Sequence, residues 1–268
     1  MDASTRTASA AVRGMHAYKY DDCPLPEGHI RIIFLKPSAN RNSDIVIELQ
    51  SYSIDEIVRN PDDYQFTALS YHWGDGDASH DVFVDEPVPT PGPEEVTEVE
   101  TSLQQRAGRL KVRPNLHAFL LEWRDSENEL ALWIDDICLN QRDNREKAGQ
   151  VPRMGTIFST AANVCIWLGP ADEDGKTDRA MDFIKPVLQN CDTAELFTSN
   201  NAEAWSELLY LMRSEYFSRR WIIQEVALAK YAEIRCGSKV VHWKDFSDAV
   251  SIFALSFNII REFFEDDS

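Results

Sequence analysis

The chain has 268 residues, 43% of them hydrophobic, with seven tryptophans and thirteen phenylalanines, enough core for one large domain or two small ones. Its formal net charge of -18 argues against a nucleic-acid binder, whose affinity rests on clustered Lys and Arg, and against docking on an anionic membrane. Cys23, Cys138, Cys165, Cys191 and Cys236 are scattered and form no CxxC pair. Neither a zinc site nor a disulfide framework is indicated, and free thiols in a reducing, cytoplasmic setting are expected.

Residues 1–15 are rich in Ala, Ser and Thr, lack an apolar core, and read as a disordered tail rather than a secretory signal. His29 to Leu35 and Asp44 to Leu49 are β-rich runs separated by Pro37-Ser38-Ala39-Asn40, and they predict an N-terminal hairpin. Phe66 to Tyr71 predicts a strand, ended by His72-Trp73-Gly74-Asp75-Gly76-Asp77. That turn lacks the lysine of a phosphate-binding loop. Residues 86–109 open Pro- and Glu-rich and predict a mobile surface loop. A helix follows from about Asn115, with Leu116, Phe119, Leu120 and Trp123 on one face.

Leu130 to Ile134 is continuously apolar, as expected of a parallel strand buried on both faces, and it ends in Asp135-Asp136. Asp143 to Glu146 fits a capping box. The helix it opens has Val151, Met154, Ile157, Phe158 and Ala161 as its buried stripe and a kink at Pro152. Val164 to Leu168 is a second continuously apolar strand, and residues 170–180 read as a polar loop. Two or three helices then run to Ala229, one marked by Trp205, Leu208, Leu209 and Met212. Glu233 to Val241 resembles a hairpin turned at Gly237-Ser238. The run from Ala249 to Ile260 is too short to span a bilayer and reads as a packed helix before an acidic tail.

This alternation predicts an α/β fold, a mostly parallel central sheet flanked by helices, with added N-terminal and C-terminal β-hairpins. Ligands of such sheets collect beyond the carboxyl ends of the strands, here Ser70 to Asp77 and Asp135 to Gln141.

Ser218-Arg219-Arg220-Trp221-Ile222-Ile223-Gln224-Glu225 reads as helical and stacks Trp221 over Glu225, since side chains at i and i+4 share a face. An aromatic plate beside a carboxylate and two guanidinium groups suits a planar, phosphate-bearing ligand. An ion pair that stitches the helix down, with Trp221 in the core, is the other reading, and both stay open. Asp135 either orients an arginine or ribose, or caps backbone amides. Ser70 either meets a ligand or is satisfied by its turn. No third carboxylate stands near Asp135 and Asp136, so no metal site is indicated.

Three segments together resemble the heterokaryon incompatibility, or HET, domain family of filamentous fungi. Ala68 to Gly74 (ALSYHWG) resembles its first motif. Leu132 to Gln141 (LWIDDICLNQ), running on through Gln150, Met154 and Ala161 to Trp167-Leu168-Gly169, resembles its second, and Tyr216 to Ala229 its third. The resemblance covers about residues 18 to 243. His72, Asp136 and Leu139 depart from the family pattern, and residues 86–109 look like an insertion. The resemblance implies a single HET domain over residues 16–268, either a minimal HET protein or a fragment. It also implies a role in non-self recognition that triggers programmed cell death.

HET domains in turn resemble Toll/interleukin-1 receptor (TIR) domains. Phe66 to Ser70, Trp133 to Asp136, and Ser218-x-x-Trp221-x-x-x-Glu225 match the TIR strand, acidic strand end and helix motif, with Ile222 where plant TIR domains usually carry cysteine. That likeness implies hydrolysis of NAD, a substrate rather than a cofactor, with Glu225 catalytic. Ser70, Trp73, Asp135, Arg219, Arg220 and Trp221 would then line the substrate. The rival is a non-enzymatic signalling module acting by self-association or partner recruitment. A homo-oligomer and an incompatibility partner with a basic face both fit, because TIR enzymes commonly self-assemble and this surface is acidic.

Overall fold

The computed structural model describes residues 16–86, 106–191, 194–220 and 222–265. The expected tail at 1–15, residues 87–105 of the expected loop, Trp221 and the last residues of the acidic end lie outside the described residues. In chain order the elements begin with β1 (His29–Leu35), β2 (Ile45–Ser53), α1 (Ile54–Arg59), β3 (Thr67–Tyr71), β4 (His80–Asp85) and β5 (Arg106–Val112). They continue with α2 (Pro114–Trp123), β6 (Leu130–Trp133), α3 (Asp135–Cys138), α4 (Asn144–Gln150), α5 (Met154–Thr160) and β7 (Asn163–Trp167). The last are α6 (Lys176–Asn190), α7 (Ala202–Met212), α8 (Ile222–Ala227), β8 (Ala232–Cys236), β9 (Lys239–His242), α9 (Trp243–Leu255) and α10 (Phe257–Glu265). Two compact units result: Met1–Phe66 with Asp75–Arg153, and Thr67–Gly74 with Met154–Ser268.

In the first unit the strands run β5-β4-β2-β1-β6. β1 pairs antiparallel with β2, from His29 opposite Ser53 to Leu35 opposite Ile47, and antiparallel with β6 on its other side. β2 runs parallel to β4, and β4 antiparallel to β5. Ile30, Ile32, Ile33 and Leu35 are buried, which is why β1 has few polar positions. Proline opens α2, where its missing N–H costs nothing. The helix buries Leu116, Phe119 and Leu120, as its apolar stripe predicts.

α4 starts where the sequence placed it. The Asp143 side chain accepts from the Arg145 and Glu146 amides. The second half of the box does not form, because Glu146 turns away to Arg31 and to the Asn140 amide. Pro152 falls in a 3₁₀ turn, Val151–Arg153, that separates α4 from α5 and supplies the expected break. Val151 is exposed, while Ile157, Phe158 and Ala161 are buried.

In the second unit β3, β7 and β8 are parallel, with Ser70 opposite Ile166 and Ile166 opposite Ile234; β9 is antiparallel to β8. β3 and β7 are buried along almost their whole length, so Ser70 sits among apolar neighbours. Gly237 turns β8 into β9 with φ +53° and approaches Ala171 so closely that a Cβ would lie 2.8 Å from the alanine's own. Trp205 of α7 is fully buried and packs against Phe183, Phe197 and Phe253.

Several expectations are corrected. Strand pairing is mixed rather than mostly parallel: β2–β4, β3–β7 and β7–β8 run parallel, whereas β1–β2, β1–β6, β4–β5 and β8–β9 run antiparallel. A continuously apolar strand reports burial of both faces, not direction, and β6 pairs antiparallel with β1. The two hairpins are not additions: β1 also pairs with β6, β2 with β4, and β8 with β7, so they are integral to the sheets. Arg106 to Arg109, assigned to the mobile loop, begin β5. Asp135 and Asp136 open α3 rather than ending a strand. The polar loop expected at 170–180 stops at Gly175, where α6 begins. No helix among the described residues is long and apolar enough to cross a membrane.

Candidate functional site

Ser70 lies one residue from the carboxyl end of β3 and is 1% exposed. A hydroxyl buried among apolar side chains must find partners, and the third motif supplies them. There, Ser214 caps a 3₁₀ turn, Glu215–Ser218, by accepting from the Tyr216 amide. Arg219 follows in extended conformation, and α8 then carries Glu225. The helix expected to run unbroken through 218–225 is therefore interrupted at Arg219-Arg220.

Glu225 is 2% exposed and accepts from the Ser70 hydroxyl through Oε2. Arg219 donates to both carboxylate oxygens, 3.2 Å each. That two-pronged contact balances the buried charge and fixes the carboxylate plane. The Tyr216 hydroxyl lies 2.7 Å from Ser70 Oγ. Since the one Ser70 proton goes to the carboxylate, the serine oxygen accepts from Tyr216. Burial holds the Tyr216 phenol well above the ordinary tyrosine range, so it stays a donor. A chain Tyr216→Ser70→Glu225 thus orients the acid from one side while Arg219 covers the other, its Cζ 5.8 Å from the Tyr216 ring centre. The cluster can hold an ionised carboxylate in fixed orientation at a strand's carboxyl end, where ligands of parallel strands gather.

Of the residues singled out from sequence, Ser70, Arg219 and Glu225 come together. Trp73 is half-buried on the segment leaving β3, and Arg220 is exposed. Trp221 lies outside the described residues. Asp135 belongs to the first unit, where its Oδ1 accepts from the Asp136 amide and its carbonyl accepts from the Gln141 side chain. Burial pushes the Asp136 carboxyl upward, with Arg113 at 3.8 Å opposing. Tyr216, which opens the third motif, joins the site although residue chemistry alone does not mark it as a site residue. Its signal was a polar-tipped aromatic placed to be buried beside a charged pair.

The family model described as "Heterokaryon incompatibility protein (HET)" matches residues 66–225, more than half of the chain. This chain belongs to the HET family. The match opens at the residue before β3 and closes on Glu225, so it spans both partners of the Ser70–Glu225 contact. Over 277 aligned residues the chain is 29% identical to heterokaryon incompatibility protein 6, OR allele, of Neurospora crassa. That alignment covers 90% of this chain and 38% of the relative, so this HET chain spans well under half the relative's length. No solved structure matches it.

A second buried pair, Arg31 with Glu146, lies within the first unit, and its arginine stands outside the matched residues. Arg31 is 2% exposed and donates to Glu146 through both terminal nitrogens, at 2.7 and 3.1 Å. It also donates to the carbonyls of Cys23 and Cys138, and its Cζ lies 4.8 Å over the Tyr20 ring. Burial pushes the adjacent Cys138 thiol up to about 12, which leaves it an unreactive core group. All five cysteines are free thiols.

Proposed function

We propose that this HET chain acts in fungal non-self recognition as a trigger of programmed cell death, by TIR-like hydrolysis of NAD or a related nucleotide. The observation that carries this reading is the Glu225 carboxylate, oriented by Ser70 and Arg219 at the carboxyl end of β3. In such a reaction the bond between ribose C1′ and the nicotinamide nitrogen breaks, and nicotinamide leaves with the electron pair. Water forms the new C1′–O bond and releases a proton. The transition state resembles an oxocarbenium ion, and a fixed carboxylate stabilises it. Ser70 and Tyr216 would position that carboxylate, and Trp73, Arg220 and Trp221 would contact the nucleotide. Work in the cytoplasm, self-assembly, and recruitment of a partner from an incompatibility system belong to the same proposal.

A second reading has its own support. Glu225 is 2% exposed with both oxygens bonded, as in a structural ion pair of a non-enzymatic signalling module. NAD consumption by purified protein at high concentration, wild type beside Glu225→Gln, separates the two. Loss with wild type only supports the hydrolase. No loss from folded, self-associated wild type sinks it and leaves the signalling module.

A further inference from the structure

We infer that Arg219 is an exchangeable cation, displaced from Glu225 by a ligand that carries a flat, delocalised positive charge. This rests on reading Glu225 as a ligand-facing carboxylate. Four observations combine. The acid is nine-tenths buried and more, so stripping away its counter-charge is costly unless another cation takes the place. The Arg219 side chain is 18% exposed, so it stands on the solvent side of the pair. Among the described residues its guanidinium meets Glu225 and the Tyr216 ring alone. Finally, Arg219 is an extended residue whose amide closes the 3₁₀ turn on the Tyr216 carbonyl, outside α8, so its side chain can swing away without opening that helix.

An incoming group would meet the same two features that hold the guanidinium. They are a fixed carboxylate and the face of an aromatic ring, which together select planar cations over neutral analogues. A pyridinium or guanidinium group fits, whereas an ammonium lacks the flat face.

The test compares the 1-methylnicotinamide cation with neutral nicotinamide, by calorimetric titration and thermal shift. The proteins are the wild type, Arg219→Ala and Arg219→Ala/Glu225→Gln. The Arg219→Ala protein should bind the cation at least about tenfold more tightly than the neutral ring. The double variant should lose that preference, and wild type should bind the cation more weakly than Arg219→Ala. Arg219→Met, which keeps the aliphatic stem, replaces Arg219→Ala if the latter does not fold. Equal binding of charged and neutral probes, or a preference that survives in the double variant, overturns the inference. The readout is binding without turnover, so failure here leaves NAD hydrolysis standing, and failure of NAD hydrolysis leaves the cation preference to be read.

Discussion

The Arg31–Glu146 and Arg219–Glu225 pairs are built from the same chemistry and differ in which partner is sealed. In the Arg31–Glu146 pair the guanidinium is the inner group, 1% exposed, held by a carboxylate and two backbone carbonyls contributed from distant segments. In the Arg219–Glu225 pair the carboxylate is inside, 2% exposed, and its arginine is six residues away in sequence and reaches toward solvent. The first arrangement joins β1, α3 and α4. The second leaves a charged acid behind a single movable side chain. A pair whose parts are all fixed by packing serves cohesion; one whose outer member is tethered only locally leaves room for exchange.

The comparison can be broken most decisively by removing one acid from each pair. Glu146→Gln strands a fully buried guanidinium and should cost about 3–5 kcal/mol. Glu225→Gln keeps an acceptor for Ser70 and lets Arg219 turn to water, so about 1–2 kcal/mol is expected. Urea midpoints at unchanged slope measure both; equal losses would erase the distinction.

The phenols beside the pairs give a finer comparison. Burial raises both Tyr20 and Tyr216, so each favours the folded state fully below its unfolded value near pH 10 and loses that contribution as pH rises beyond it. Tyr20→Phe and Tyr216→Phe should each cost about 1 kcal/mol at neutral pH. Each should also flatten the fall in melting temperature between about pH 9 and 11. An unchanged alkaline slope would mean that the phenol titrates as in the unfolded chain.

The smallest effect concerns salt. Double-mutant cycles should show the Arg219–Glu225 coupling weakening between about 0.1 and 1 M NaCl, where the screening length falls from roughly 10 to 3 Å. The Arg31–Glu146 coupling should hold.

Much of this architecture was legible from the chain. β1, β3 and β7 lie where apolar and β-branched residues run together, and the Asp143 cap and the Pro152 break were readable from residue type alone. Strand direction was not, because an apolar run such as Leu130 to Trp133 packs equally well either way round and its partner is chosen by tertiary contacts. The interruption at Arg219-Arg220 was hidden for a related reason. Neither residue is a helix breaker, and the break follows from the reach of Arg219 to Glu225 rather than from local preference. The Ser70–Glu225 contact joins residues 155 apart, which residue chemistry suggests only as two separate polar positions.

The unfinished capping box at α4 has a consequence for the growing chain. Arg31 is synthesised 115 residues before the Glu146 that receives it. At about 5–20 residues per second, an arginine within an apolar strand waits roughly 6–23 s for its counter-charge. Through that interval β1 cannot take its final buried place, and the nascent chain presents a sticky strand carrying one positive charge.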